Sequence, residues 1–406
     1  MGSVSANQTA IRQGATGTRA AFRRSEASLL KAFALILALV TSLILGVATP
    51  AYADVARQRV GTTSTVDWQI TDGVLIIQPR SGSSGRLDTN RNNYASNNSW
   101  PWRTYASQIT KIEVRGTIGT MPGTRLSNMF RGLTNVTEAD ISGLNFCAAE
   151  DGTTRSDGQG TVTTLERFFQ DWTSLQTITG LDSLNMESIT DNRLTSTAYM
   201  FAGCASLTTI DISSLDTSRV TSTAHMFYGC SSLAEITGSA NLDVSNVEQA
   251  QSMFRDCASL TELDLSSWTN NGAIWNMSSF LAGCDSLEKF TLNNSEFHTR
   301  SYGDGGATLE DFFGNGNNRL QHLKYVDMSN ITLAGRKDSN SGYHQESSAT
   351  GHVEAGLFRN LPALETLLMK DTFFDEYWYF DRYVENCPSL TTVDMSGVDV
   401  SEARSM

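Results

Sequence analysis

One eight-residue phrase recurs along the middle of the chain and constrains its fold more than any other feature. It reads MFAGCASL from Met200, MFYGCSSL from Met226 and MFRDCASL from Met253, with a weaker copy, FLAGCDSL, from Phe280. The starts lie 26, 27 and 27 residues apart. A fixed period of this length is typical of a solenoid, in which each unit is one supersecondary element stacked on the last.

Each unit carries the apolar pattern of one short strand. Ile210 and Ile212 alternate around Asp211, one step after Leu207, which is the period of a strand with one buried face. After a polar stretch, the run from Thr221 to Phe227 is expected to close the coil as a helical or 3₁₀ turn. Neither part buries its face alone, so the pattern predicts an α/β repeat solenoid of parallel-strand coils that share one core.

These residues resemble the leucine-rich repeats of the BspA-like bacterial surface proteins, whose units read roughly M-F-x-G-C-x-S-L-x-x-L-D-L-S-x-x-D-T-S-x-V-T. The stretch from Met200 to Thr221 agrees with that pattern in spacing and in residue type. The resemblance implies a right-handed repeat solenoid on an exported protein, used at the cell surface for adhesion or left without a known role. It brings no catalytic residues.

Residues 1–53 have the pattern of a secretory signal peptide. Five basic residues precede the apolar run from Ala32 to Val47, and Ala51-Tyr52-Ala53 offers a cleavage site between small residues. The run is short for a membrane span, which needs about 20 residues. An uncleaved signal anchor is the alternative. The remaining chain holds 25 Lys and Arg against 42 Asp and Glu, a net charge of −17 that disfavours nucleic-acid binding.

Residues 60–115 lack the repeat and are expected to form a capping β segment at the N-terminal end of the solenoid. Val66–Ile70 and Val74–Ile77 flank an Asp-Gly turn, a pattern typical of a hairpin, and Ile109–Val114 is a third strand candidate. An open solenoid end exposes unpaired backbone and apolar surface, so it needs a cap. The tryptophans of this segment are alternatively the wall of a sugar-binding site.

Nine unit starts are visible in residues 116–406, the expected solenoid: Met129, Phe168, Met200, Met226, Met253, Phe280, Phe312, Leu357 and Tyr383. Long intervals between some of them predict extra residues looped out near Thr299–Gly306 and Gly335–Gly351, besides the polar insertion Cys147–Gly160. Insertions in a solenoid usually emerge on one face, which is often the binding face.

Five of the six cysteines occupy one place in the repeat, namely Cys204, Cys230, Cys257, Cys284 and Cys387. Equivalent atoms of adjacent coils lie about 4.8 Å apart, wider than the roughly 3.8 Å between Cβ atoms of a disulfide. Buried, reduced thiols are therefore expected, with disulfide bridges as the alternative. No C-x₂-C spacing for zinc is present.

No motif assigns catalysis, a metal or a cofactor. The acidic residues Asp211, Asp264, Asp327 and Asp394 lie between inward apolar positions, so they face solvent; weak calcium binding is the alternative to simple solvation. His344 and His352 share one polar segment, where a metal would need further ligands. Phosphate-binding loops, paired carboxylates at a pocket and nucleophile elbows do not stand out.

One stretch favours partner binding. From Phe373 to Tyr383, ten of eleven residues are aromatic or acidic, more than a coil of this size can bury. Exposed Tyr and Trp commonly anchor protein interfaces. The candidate partner-binding residues are Tyr377, Trp378, Tyr379 and Phe380; the alternative is a thick coil wall with these rings packed inward.

The sequence thus favours an exported, non-enzymatic binding or adhesion module at the bacterial surface, whose partner is a protein or glycan of a host or neighbouring cell. Nucleic acid is excluded as a partner on charge, and membrane contact is expected only through the signal segment or an anchor beyond Met406. The rival class is a carbohydrate-binding or carbohydrate-active protein that uses the tryptophan-bearing N-terminal segment. The absence of paired carboxylates there argues against an enzyme.

The last unit predicts that the chain is a piece of a longer protein. Asp399–Ser401 repeats the letters of Asp243–Ser245, which lead on to a new coil at Met253, whereas here the sequence ends at Met406. We expect the genomic reading frame to continue, with the attachment signal in the missing part. A stop codon directly after Met406 would contradict this, and self-association through the open end would then be expected.

Overall fold

The computed structural model describes residues 53–61, 64–87, 100–120, 126–145, 164–184, 195–268, 274, 276–299, 309, 311–314, 320–335, 357–374 and 383–401. Apart from residue 53, the expected signal peptide lies outside these ranges, so its cleavage stays a prediction. Among the described residues no helix has the length and apolar character needed to cross a membrane.

The regular structure of the described residues consists of short strands and 3₁₀ segments. The strands before the first repeat are β1 (Val55–Arg59), β2 (Val66–Thr71), β3 (Val74–Pro79), β4 (Ser84–Leu87), β5 (Lys111–Val114) and β6 (Thr117–Thr120). Those of the repeats are β7 (Glu138–Asp140), β8 (Thr177–Thr179), β9 (Thr195–Ser196), β10 (Thr209–Asp211), β11 (Val220–Ser222), β12 (Glu235–Thr237), β13 (Glu262–Asp264), β14 (Lys289–Thr291), β15 (Glu296–Thr299), β16 (Tyr325–Asp327), β17 (Thr332–Gly335), β18 (Phe358–Arg359), β19 (Thr366–Leu368), β20 (Phe373–Phe374), β21 (Val384–Glu385) and β22 (Thr392–Asp394). The 3₁₀ segments are Pro101–Gln108, Leu181–Ser183 and Ser239–Asn241.

The N-terminal strands form the expected hairpin. β2 and β3 pair antiparallel from Val66 opposite Pro79 to Thr71 opposite Val74. Asp72 and Gly73 between them have φ values of 50° and 78°, as a tight turn with both central residues left-handed requires. β1 pairs antiparallel with β2, and β3 pairs in parallel with β5, so the hairpin is continuous with the sheet that enters the repeats.

The first strand of each coil pairs in parallel, and in register, with the equivalent strand of a neighbouring coil. The sheets run β1-β2-β3-β5-β7-β8, β10-β12 and β13-β14-β16-β19-β22. One inward column passes from Leu263 to Phe290, Val326 and Leu367, each opposite the next. These four side chains are at most 2% exposed. The inward row read from the sequence is therefore confirmed, and the described chain is a repeat solenoid.

Two further rows of parallel strands were not evident from the sequence. β4 pairs with β6, and β15, β17 and β20 form a second sheet, in the half-coil that follows the first strand. β9 pairs with β11 just before the M-F start, and single bridges continue this row from Ser222 to Gln249 and Asn276. Thr221 and Ser222 thus belong to a strand, although the sequence suggested a helical or 3₁₀ turn from Thr221.

The segment from Thr197 to Cys204 shows why the α part of the α/β expectation is wrong for the described residues, none of which lies in an α-helix. Alternate N–H groups bond to carbonyls of the next coil at 2.7–2.9 Å, those of Thr197, Tyr199, Phe201 and Gly203. The N–H groups between them bond three residues back at 3.0–3.1 Å, those of Met200, Ala202 and Cys204. An α-helix would commit interior N–H groups to carbonyls four residues back and leave few for the neighbouring coil.

A column of phenylalanines forms the centre of the core. Phe169, Phe201, Phe227 and Phe254 stack coil on coil, with ring centroids 5.3, 5.5 and 5.6 Å apart and planes within 21°. All four are fully buried. The repeat period therefore fixes ring spacing as well as strand spacing, and each coil buries its aromatic side chain only against its neighbours.

We predict that Gly238→Ala destabilises the protein much more than Gly229→Ala. Both glycines have left-handed backbone, with φ of +80° and +73°, so each alanine incurs about 1 kcal/mol of conformational strain. A Cβ at Gly238 would also lie 2.4 Å from Cα of Ser213 in the preceding coil, whereas at Gly229 its nearest contact is 3.9 Å from Cα of Gly203. Urea unfolding should show a loss of about 3 kcal/mol or more for Gly238→Ala. Equal losses would contradict the coil contact.

Candidate binding surfaces

The insertions depart from neighbouring positions of successive coils. In the second row of strands, Thr299 lies opposite Gly335, and Leu333 lies opposite Phe374. The strands β15, β17 and β20 therefore end at the same edge of their sheet, and each leads into extra sequence. We call this the insertion edge. The candidate partner-binding residues Tyr377, Trp378, Tyr379 and Phe380 follow β20, outside the described residues, so their surroundings stay a prediction.

The same arrangement occurs near the N-terminus. β4 ends at Leu87 and β6 at Thr120, which lie opposite each other. Extra sequence follows both strands, and a single bridge from Ile118 to Leu144 adds a third chain segment to this edge, just before the insertion that begins near Cys147. The coils therefore tolerate added residues at one recurring position, which is where the second row of strands stops.

The tryptophans of the N-terminal segment do not form an accessible sugar site. Trp68, Trp100 and Trp102 are each only 1% exposed. Nε1 of Trp100 donates to the carbonyl of Ser127 at 3.2 Å, and Nε1 of Trp102 donates to that of Met129 at 2.9 Å. A sugar ring needs an open aromatic face, and these three rings are buried, so they cannot line the sugar-binding site considered as the alternative. These rings instead bind the segment to the first coil.

The acidic column is used by the backbone. Asp211 Oδ1 accepts the N–H of Ser213 at 2.9 Å, and the same contact, at 2.9–3.0 Å, recurs at Asp140, Asp264, Asp327 and Asp394. Hydrogen bonds from the serine side chain and backbone lower the pKa of Asp140, Asp211 and Asp394. Within the described ranges no three His, Cys, Asp or Glu side chains come together as a metal site. Each of these carboxylates accepts the N–H two residues later and so stabilises the turn at which the strand ends.

The described histidines do not converge either. Nδ1 of His322 lies 2.7 Å from the carbonyl oxygen of Asp285 in the preceding coil. His344 and His352, the pair considered for a metal, lie outside the described residues, as does Cys147. His225 belongs to a different cluster, described below.

The cysteine column is buried and reduced, as expected. Cys204, Cys230, Cys257 and Cys284 are free thiols with no exposure, and Cys387 is half-buried. Each buried Sγ–H donates to the carbonyl of a phenylalanine in the preceding coil, at 3.0–3.5 Å. Trp172 occupies the same place in its coil and donates Nε1 to the carbonyl of Phe130 at 2.5 Å. Leu133 and Leu361 occupy the same place in their coils, so a donor is used there in some coils only.

Burial raises the pKa of the Cys204, Cys257 and Cys284 thiols well above the ordinary value of 9.0. A nucleophilic cysteine needs the opposite, because the thiolate is the reactive form and an electropositive, partly exposed setting favours it. These three thiols are consequently unsuited to act as nucleophiles, and their role is structural.

A row of cationic and aromatic side chains crosses the turns on another face. We call Arg167, Tyr199, His225, Tyr228 and Arg255 the turn-face row. The Arg167 guanidinium lies 4.7 Å from the ring centre of Tyr199, and that ring stacks on His225 at 4.4 Å with planes 11° apart. His225 meets the edge of Tyr228 at 5.7 Å, and the Arg255 guanidinium lies 6.0 Å from the Tyr228 ring centre.

The repeat register builds this row. Arg167, Tyr199 and His225 each directly precede a unit start, and all three have φ of 57–59°. Side chains at one repeat position stack when coils stack. In the sequence these three residues differ in type and share no motif. Their common position, directly before a unit start, was the only sign that they would stack.

The two arginines stand at the ends of the row and influence the histidine between them. Burial, and then the charges of Arg255 and Arg167, lower the pKa of His225. Each arginine also has an acidic neighbour, since Arg167 pairs with Glu166 and Nε of Arg255 lies 3.6 Å from Asp256. Tyr228 is 37% exposed. The row thus offers an exposed ring between two guanidinium groups.

Comparison with known families assigns the repeats. A family model described as "Mycoplasma protein of unknown function, DUF285" matches residues 124–268, 163–296 and 195–323, overlapping windows of one repeated pattern. The matched windows span residues 124–323, so this part of the repeat region is similar to that family. The resemblance to the BspA-like leucine-rich repeats, drawn from the M-F-x-G-C-x-S-L phrase, is confirmed. No curated protein matches the chain.

Solved leucine-rich repeat proteins give low structural similarity to this BspA-like chain. A leucine-rich repeat protein from Eubacterium ventriosum is 18% identical, with 84% of this chain and 78% of that chain covered and a TM-score of 0.31. A leucine rich cell surface protein from Faecalibacterium prausnitzii is 12% identical, with 86% and 80% covered and a TM-score of 0.31. Scores this low do not establish a shared arrangement, and the family match carries the assignment.

We predict that the cysteine column makes the protein sensitive to alkali. Thiols of the unfolded chain ionise near the ordinary pKa of 9.0, whereas the folded thiols of Cys204 and Cys257, whose pKa is raised, stay neutral. Stability is therefore complete below that value and falls above it, by about 1.4 kcal/mol per pH unit for each thiol. In urea unfolding from about pH 8 to about pH 10, Cys257→Ala should flatten the decline. Leu260→Ala, in the same coil, should lower stability without changing the slope; equal slopes for both variants would contradict the assignment.

Proposed function

We propose that this chain is an exported, non-enzymatic binding or adhesion module of the bacterial surface, directed there by residues 1–53. What supports a scaffold role is the use of its polar groups, because the described aspartates close turns and the buried thiols bond to carbonyls. What supports binding is the insertion edge, where three neighbouring strands end side by side and each leads into added sequence.

Residues 60–115 serve, in this proposal, as the N-terminal cap of the solenoid in residues 116–406. Support comes from the parallel pairing of β3 with β5 and of β5 with β7, which carries the hairpin onto the first coil. The outer strand β1 is exposed at four of its five residues and carries Arg57 and Arg59. Charge on an edge strand discourages edge-to-edge association, as a cap requires.

The binding residues in this proposal are Tyr377, Trp378, Tyr379 and Phe380, in the insertion after β20. Its partner is a protein or glycan on a host or neighbouring cell. Tyr and Trp supply large contact area at small cost in conformational entropy, which is why interfaces use them as anchors. The rest of the coil stack holds the edge in place.

The test measures adhesion of labelled cells to the immobilised chain, or binding of the chain to glycan and protein arrays. A double variant, Tyr377→Ser with Trp378→Ser, should reduce captured partner by about tenfold or more, the effect of losing interface anchors. The matched control is Tyr325→Ser, which removes a half-buried ring from the strand face. Equal binding by the double variant and the parent chain would contradict the assigned edge, and hydrolysis of a bound glycan would contradict the non-enzymatic role.

A further inference from the structure

We propose that the turn-face row is a second interaction surface, which takes an extended acidic segment of a partner polypeptide. This goes beyond the function proposed above, because the row lies on the turns and does not involve the insertion edge. Its members are Arg167, Tyr199, His225, Tyr228 and Arg255. Tyrosine and arginine are two of the three residue types most enriched among the residues that dominate binding energy at interfaces.

Charge separates this face from the strand face. The first-row strands carry nine carboxylates and two lysines at their described positions. On the turns, by contrast, arginines recur from coil to coil, at Arg103, Arg131, Arg167 and Arg255, with the acidic neighbours Glu166, Asp171 and Asp256. In a chain with a net charge of −13, the turn face is thus a described surface that can accept an anionic partner.

The ion pairs already present do not block such a partner. The side chains of Arg167 and Arg255 are 34% and 37% exposed, and those of Glu166 and Asp256 are 33% and 42% exposed. Pairs this open to water contribute little and are screened by salt. A partner carboxylate can therefore bond to guanidinium donors, which favour a planar two-oxygen acceptor.

The geometry favours a polypeptide over a sugar. Tyr199 and His225 cover each other's faces at 4.4 Å, and Arg167 covers the other side of Tyr199 at 4.7 Å, so these faces are closed to a sugar ring. What remains are ring edges and guanidinium donors on successive coils. From Arg167 to Arg255 is three coil steps of about 4.8 Å, a length of about 14 Å, which some four residues of extended chain span.

The row is also ordered before binding. Each member stacks on, or meets the edge of, the next, and the left-handed backbone at Arg167, Tyr199 and His225 is fixed by the same bonds that join the coils. Tyr228, 37% exposed, is the one exposed large apolar side chain of the described residues outside the final coil. Preordered side chains lose little entropy on binding, which is a large cost at flexible surfaces.

The experiment is fluorescence polarisation of a labelled peptide of alternating Glu and Ser against the full chain, beside a peptide of alternating Gln and Ser. We expect the acidic peptide to bind, the neutral one not to, and added salt to weaken binding. Arg167→Gln with Arg255→Gln should lower affinity by about tenfold or more, and so should Tyr228→Ala. Circular dichroism and thermal unfolding verify that each variant is folded. Tyr228→Ala should remain folded, because the Tyr228 side chain is exposed.

The matched control is Lys289→Gln with Lys324→Gln, which removes the same charge from the strand side, where both lysines pair with glutamates. It should change affinity by less than about twofold, and Tyr377→Ser should not change it. Equal losses of affinity in the two double variants would overturn the proposed site, because they would show that the peptide binds only by general electrostatic attraction. Failure of the acidic peptide to bind would overturn it as well. Polygalacturonate bound in its place would show a glycan surface, and self-association lost with Arg167→Gln and Arg255→Gln would show a second copy as the occupant.

Discussion

The hydrogen-bond ladder between equivalent positions of successive coils is the interaction on which the rest of this structure depends. In the first row of strands it pairs Leu263 with Phe290 and onward in strict register, and in the turns it joins every second residue of one coil to the next. Because both ladders run along one direction, a coil cannot shift by one residue without moving its whole inward row to solvent. The regular return of the M-F phrase in the central units is the sequence counterpart of this constraint.

The same ladder explains how polar side chains are used. Backbone N–H and C=O groups that do not pair in the ladder need other hydrogen-bond partners, and side chains at fixed repeat positions provide them. Aspartate accepts the N–H that follows five of the first strands, while cysteine adds a donor to the carbonyl of a buried phenylalanine in the preceding coil. Trp172 shows that a donor other than a thiol also fits the second position. Residue types that suggest chemistry in the sequence thus act as scaffold parts.

The surfaces proposed for binding lie at positions where the ladder imposes no pairing. One is the end of the second row of strands, where coils accept insertions without disturbing the pairing on either side. Another is the surface of the turns, where Arg167, Tyr199 and His225 differ in type yet stack because their backbones do. Solenoids commonly diversify such positions, since each coil contacts only its neighbours and tolerates change at its rim.

The sequence by itself determined the repeat, its period, the inward alternation, the hairpin across Asp72 and Gly73, and the buried column of reduced thiols. Each follows from a local rule, because strand periodicity, turn chemistry and repeat position need no knowledge of distant contacts. Only the tertiary structure decided how the coil closes, replacing the expected helical turn with bonds to the next coil, since backbone propensity yields to pairing partners that a sequence does not display. It also placed the tryptophans in the core and brought the turn-face row together. Those outcomes depend on which side chains face each other across coils some 26 residues apart, and that is a property of the stack.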